Sequence, residues 1–296
     1  ARETELRQIA RASPGEKFTL ADGLKKYADE VSPTKRGARW ETARIGALLR
    51  HPALPVGKPI NQTTTATMAL WRDARLAEVS AGTVRREISL LSDFFETARR
   101  EWLWIQSNPL RDMRKPAAPE SRNITITRQQ IKLRLRAMGY SPRLPVRTVS
   151  QSAAVCFLLA LRSGMRAGEL CGLEWRRVHA GYCALPVTKT TPREVPLLPK
   201  AVRLINKMRG WDSDLVFGLK SQTLDALFRK YKSRAGLSGF TFHDARHTAA
   251  TWIVQSRVWD AFELCRAFGW SDPKQALIYF NPTARELALR GVKKPE

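Results

Sequence analysis

The chain has 296 residues, of which 51 are Lys or Arg and 27 Asp or Glu, giving a formal net charge of +24. An apolar fraction of 43% with 8% aromatics supports buried cores and excludes a disordered chain, and the length points to two domains. The charge calls for a polyanionic partner, most simply nucleic acid, while no run approaches the roughly 18 apolar residues of a membrane span, so a membrane partner is set aside.

Both halves are basic, the second more so: residues 1–122 carry 22 basic and 15 acidic groups, residues 123–296 carry 29 and 12. Cys156, Cys171, Cys183 and Cys265 show no C-x-x-C spacing and sit among apolar residues. They read as buried free thiols of a reducing compartment such as the cytoplasm, rather than a disulfide framework or a zinc site. No signal peptide is visible, and the chain opens on Ala1 without a Met, so the expectation is a processed or truncated chain that lacks an N-terminal segment.

Residues 1–17 are polar and read as a short helix or a loose tail. Four helical runs follow in residues 18–113: one with Leu20, Leu24, Tyr27 and Val31 on a face, an Arg-rich run over Lys35–Leu49, a third over Thr63–Val79 with Met68, Trp71, Leu76 and Val79 apolar, and Thr83–Trp104 with Ile88, Leu91, Phe95 and Ala98 at helical steps. Ser80–Gly82 is expected to break the last two apart. Arg85, Arg86, Arg99 and Arg100 are candidate DNA-binding residues on basic outer faces, each equally readable as solvated surface. Residues 114–123, RKPAAPESRN, read as a linker.

The second half, residues 124–296, opens with a Thr127/Gln130 capping box before a helix over Arg128–Met138. Val149–Leu161 is an apolar helix expected in the core and stopped by Gly164, with Arg166 and Glu169 opening a short helix after it. Ala184–Val187 and Glu194–Leu198 read as two strands joined by a polar turn holding Lys189. Helices are expected at Leu204–Met208 and Gln222–Ala235. The fold class is therefore mainly α (α+β): a helical domain and a mostly helical domain with one small antiparallel sheet, joined by a linker that lets them close as a clamp around DNA.

The stretch Phe242–Phe280 concentrates His243, Arg246, His247, Trp270 and Tyr279. Thr241 is expected to cap a helix starting near Phe242, and Asp272-Pro273 to open a helix reaching Phe280 with Tyr279 two turns in. Cleaving a phosphodiester without a metal needs a nucleophile, donors for the pentavalent phosphorane and an acid for the leaving alkoxide. Tyr279 suits the first, and Arg166 and Arg246 the second, with Trp270 adding one indole donor. Lys189 suits the third, and His243 suits either end of a proton transfer. His243 and His247 lie four apart, a spacing that also suits a metal, but neither an H-E-x-x-H glutamate nor a Cys pair accompanies them. Taken singly, each of these residues also reads as packing or surface, so the residues alone leave a nucleic-acid-binding protein with phosphoryl transfer open.

The segments LALRSGMRAGELCGLEW, VTKTTPREVPL, FHDARHTAAT and FGWSDPKQALIYF together resemble the tyrosine recombinases of the phage integrase family. WRDARLAEVSAGTVRREISLLSDFFETARREW is similar to the core-binding domain of integrases and of shufflon-type invertases. The resemblance implies a core DNA-binding domain at residues 18–113 and a catalytic domain at 124–296. It implies site-specific recombination of double-stranded DNA by a homo-tetramer, with accessory DNA-bending proteins among its partners and a mobile element or prophage as its source. Tyr279 would form a 3′-phosphotyrosyl link, Lys189 would protonate the leaving 5′ oxygen, Arg166 and Arg246 would clamp the phosphate, and His243 and Trp270 would complete the set. Glu169 would orient Arg166. No cofactor, metal or ATP is implied. Trp270 stands where the family commonly has His, which removes one proton carrier. The alternatives on the same fold are a non-catalytic DNA-binding regulator and a type IB topoisomerase-like relaxing enzyme.

Overall fold

The computed structural model describes residues 14–119, 124–186 and 192–280, and the chain divides into two compact units, residues 1–121 and 122–296.

Among the described residues of the first unit four α-helices form, α1 Leu20–Lys26, α2 Ala38–Leu48, α3 Thr65–Glu78 and α4 Ala81–Arg100. The caps explain their starts: Thr19 and Asp22 exchange hydrogen bonds ahead of α1, as Thr64 and Thr67 do ahead of α3. Ser80–Gly82 does not simply break the chain. Ser80 caps α4, its hydroxyl accepting from the Thr83 N–H at 3.4 Å, so Ala81 and Gly82 already belong to the first turn. Ile88, Leu91, Phe95 and Ala98 are fully buried with Leu20, Leu24, Met68 and Trp71. Leu76 departs from expectation and is exposed, because helical geometry turns it away from the face that Met68 and Trp71 bury.

The second unit is built around one apolar helix. The capping box of Thr127 and Gln130 opens α5, Arg128–Ala137. Then α6, Val149–Ser163, buries ten of its side chains and packs against α8 Pro199–Asn206, α9 Ser221–Arg234 and α10 Asp244–Gln255. Gly164 ends α6 at φ 65°, and a Cβ there would meet the Phe268 ring at 2.3 Å, so only glycine allows both the left-handed stop and the close approach. The short α7, Ala167–Cys171, follows with Arg166 at its N-cap.

Among the described residues the sheet has three antiparallel strands rather than the expected two, β1 Val178–His179, β2 Tyr182–Leu185 and β3 Arg193–Pro196, in that order. Cys183 opposes Val195 and Leu185 opposes Arg193. Two residues of β1 are too few to show an alternating pattern, which is why the sequence does not reveal it. A separate small core of Ala249, Ala250, Ile253, Leu264, Phe268 and Ala276 joins α10 to α11, Ala261–Phe268, and α12, Lys274–Leu277, with Trp270 and Tyr279 packed against it. All four cysteines are buried and unpaired as disulfides. No described helix is long and apolar enough to cross a membrane.

Candidate active site

Arg246 sits in the first turn of α10 and is 4% exposed. Its Nη1 donates to the Gly164 carbonyl at 2.6 Å and its Nη2 to the Phe268 carbonyl, so one side chain ties the end of α6 to the end of α11. The guanidinium lies over the Phe268 ring at 4.7 Å and the Trp270 ring at 5.2 Å. Burial, with Arg166 and Arg193 nearby, pushes its pKa down to about 9, and it stays a cation at neutral pH.

Arg166 is joined to Glu169 twice: its backbone N–H donates to Oε2 at 2.8 Å and its Nη1 to Oε1 at 2.9 Å. Glu169 is no exposed helix acid. Its side chain is 8% exposed and also accepts a two-pronged contact from Arg193, Nη1 to Oε1 at 2.7 Å and Nη2 to Oε2 at 2.8 Å. Burial alone would raise the Glu169 carboxyl, but the Arg193 and Arg166 donors outweigh it and hold the pKa below the usual carboxylate value. Arg193 also donates from Nε to the Ala267 carbonyl at 3.2 Å, linking β3, α7 and α11. Sequence reasoning placed Arg193 in the polar turn and missed it. The available signal was strand alternation: Arg193 shares a face with fully buried Val195, where a charge needs a carboxylate.

Arg166, His243 and Arg246 line one cleft of about 240 Å³ with Met165, Phe242 and Asp225, the last paired to Arg229 at 3.0 Å. His243 has its pKa lowered by the surrounding protein and by His247 and Arg246, so the ring is neutral at pH 7. The expected Thr241 cap runs the other way. The Thr241 N–H and hydroxyl both donate to Asp244 Oδ2, at 2.6 and 3.0 Å, and α10 begins at Asp244.

Tyr279 is not two turns into a helix. Only Lys274–Leu277 is helical, and Tyr279 follows it in a turn, its N–H donating to the Ala276 carbonyl at 2.9 Å. Asp272 does cap the Lys274 N–H, at 2.9 Å. The Tyr279 ring stacks on Trp270, 5° from parallel with centroids 5.6 Å apart, and its hydroxyl is hydrogen-bonded to His247 Nδ1. Burial pushes its pKa up to about 12 against the pull of Arg246. His247 is therefore a second residue the site holds that the sequence nominated only as a metal ligand. Among the described residues no group of three His, Cys, Asp or Glu side chains could hold a metal. Lys189 lies outside the described residues.

The four candidate DNA-contacting arginines divide. Arg99 and Arg100 both pair with Glu96, at 2.9 and 3.0 Å, and Arg85 donates to the Pro116 carbonyl at 2.6 Å. Arg86 is exposed, beside Arg85 along a groove with Trp40, Gly82 and Ser89.

Residues 121–286 match the model of the phage integrase family. A putative integrase/recombinase of Haemophilus influenzae is 32% identical over 275 residues, covering 91% of this chain and 88% of that protein. The shufflon-specific DNA recombinase of Escherichia coli is 31% identical, over 93% of this chain and 72% of its own. A lambda integrase dimer bound to a COC′ core site shares the fold with a TM-score of 0.74 at 22% identity, over 95% of this chain and 82% of that one. A lambda integrase tetramer bound to a Holliday junction does so with a TM-score of 0.71 at 21% identity, over 90% and 81%. The family match spans more than half of the chain, and together with these relatives it shows that the chain belongs to the phage integrase family, the tyrosine recombinases, enzymes that cleave and rejoin DNA.

Proposed function

We propose that the chain performs site-specific recombination with Tyr279 as nucleophile. The observation that carries this is the convergence of a phenol stacked on Trp270 with Arg246, which in turn shares one cleft with Arg166 and His243. The Tyr279 oxygen attacks the scissile phosphorus, the P–O5′ bond breaks and a 3′-phosphotyrosyl link forms. Arg166 and Arg246 bring two cations to the phosphorane's equatorial oxygens, where fixed donors in a desolvated site are worth most. Lys189 delivers a proton to the leaving 5′ oxygen. The 5′-hydroxyl of a partner strand then attacks the link, so the bond energy is retained without ATP. Glu169 and Arg193 set the Arg166 guanidinium before DNA arrives, and Arg85 and Arg86 contact backbone phosphate.

The chain works in the cytoplasm as a homo-tetramer on paired duplex sites and serves a mobile element. The closest functional test is incubation of the chain with a nicked suicide duplex, its site recovered by in vitro selection from a randomised duplex pool. Trapped covalent complex supports the proposal; tight binding without trapping indicates a non-catalytic regulator. Relaxation of supercoiled plasmid without strand exchange between sites would indicate the topoisomerase-like reading.

A further inference from the structure

We propose that His247 takes the proton from the Tyr279 hydroxyl during cleavage and returns it during rejoining. This rests on Tyr279 being the nucleophile. His247 Nδ1 and the Tyr279 oxygen are hydrogen-bonded, with ring centroids 6.1 Å apart and planes tilted by 32°. His243, the histidine the sequence nominates for proton transfer, makes no such bond among the described residues. It meets the His247 ring edge-on at 5.4 Å and faces the cleft with Arg166 and Arg246. The two histidines of HDARH are thus divided, one toward the phosphate cleft and one on the nucleophile.

The chemistry requires such a contact. A protonated phenol is a poor nucleophile, and burial makes this one harder to ionise than a free tyrosine. Trp270, stacked on the Tyr279 ring, offers only an indole donor and cannot serve as the base. The charged and titratable groups around His247 are His243, Asp244 and Arg246 on its own helix and Tyr279 from the segment packed against it. Burial, with Arg246 acting against Asp244, keeps the imidazole neutral at pH 7. With its ring proton on Nε2, the Nδ1 lone pair accepts from the phenol. A phosphodiester docked against Arg166 and Arg246 adds negative charge beside that guanidinium and raises the basicity of His247 as the substrate arrives.

The balance closes in both directions. In cleavage the Tyr279 O–H bond breaks and the proton passes to Nδ1, the O–P bond forms, and the P–O5′ bond breaks with the 5′ oxygen taking its proton from Lys189. In rejoining the attacking 5′-hydroxyl returns its proton to Lys189, and His247 reprotonates the departing tyrosine oxygen.

The test is single-turnover cleavage of the suicide duplex by the full chain across pH, for wild type, His247→Asn, His247→Gln and His243→Asn. It is repeated with 3,5-difluorotyrosine, a more acidic phenol, at position 279. Loss of a general base slows cleavage by about 10²- to 10⁴-fold. The expected result is that loss at neutral pH for both His247 variants, with DNA affinity unchanged and the rate restored by higher pH or by the fluorinated residue. His247 variants that cleave at the wild-type rate, or that are slowed but restored by neither, overturn the proposal; the second outcome leaves His247 as a positioning residue. Trapping that survives Tyr279→Phe would instead overturn the nucleophile assignment.

Discussion

Glu87 in the first unit and Glu169 in the second are both buried carboxylates gripped by two arginines. Glu87 is fully buried and accepts from Arg44 Nη1 at 2.8 Å and from Arg75 Nε and Nη2 at 2.9 and 3.0 Å. Arg75 also reaches Glu78, so two guanidiniums face two carboxylates and the cluster is neutral. Around Glu169 stand Arg166 and Arg193, with Arg246 close enough to feel both, so three guanidiniums share one carboxylate. The same local device therefore does two jobs. Where charge balances, the cluster is closed on itself; where cations exceed anions beside a cleft, a net positive charge is left over that favours an anion.

Removing each acid in turn separates the two clusters. Glu87→Ala strands two guanidiniums and is expected to cost about 3–5 kcal/mol of stability, read as a lower urea midpoint, with cleavage by the remaining folded protein unchanged. Glu169→Gln is expected to lower single-turnover cleavage by about 100-fold beyond any loss of folded protein, because a guanidinium misplaced by about 1 Å costs that much in a positioned reaction. If both variants lose cleavage only in step with folding, the two clusters are equivalent and the comparison fails.

A smaller effect follows from the histidines. Burial, their largest cause of shift, together with neighbouring cations, lowers the pKa of His243 and His247 below the free value. Below a pH of about 6.5 the unfolded chain therefore binds more protons than the fold, and stability rises with pH through that window and levels off above it. The melting temperature of the wild type should fall between pH 7 and pH 5, and the slope should shrink in the His243→Asn, His247→Asn double variant. An equal slope would show that the acid sensitivity arises elsewhere. The smallest effect is expected at Arg86, exposed on α4. Arg86→Ala should weaken DNA binding evenly across sequences and reduce the salt slope by about 1, whereas Arg99→Ala, whose charge is already opposed by Glu96, should change the slope less.

What the sequence made legible was local. Thr127 with Gln130, Gly164 after an apolar run, and Ile88, Leu91, Phe95 and Ala98 at helical steps are encoded within a turn or two of chain, and each stands where the pattern put it. The Arg166–Glu169 contact was legible for the same reason, being three residues apart. Arg193 and Glu169 are 24 residues apart, His247 and Tyr279 are 32, and no local pattern announces either pair. Tyr279 was nominated by residue type and by family likeness, but its placement in a turn depends on α12 ending at Leu277, a boundary the Asp272-Pro273 start signal does not set.

Trapping of the covalent intermediate decides most directly whether this site cleaves DNA through Tyr279. The wild-type chain should accumulate a protein–DNA adduct on the selected suicide duplex, with the 3′-phosphate linked to the peptide that contains Tyr279, and Tyr279→Phe should bind the same duplex equally well with no adduct. Adduct formation by Tyr279→Phe, or its absence from the wild type on a duplex it binds tightly, would contradict the assignment.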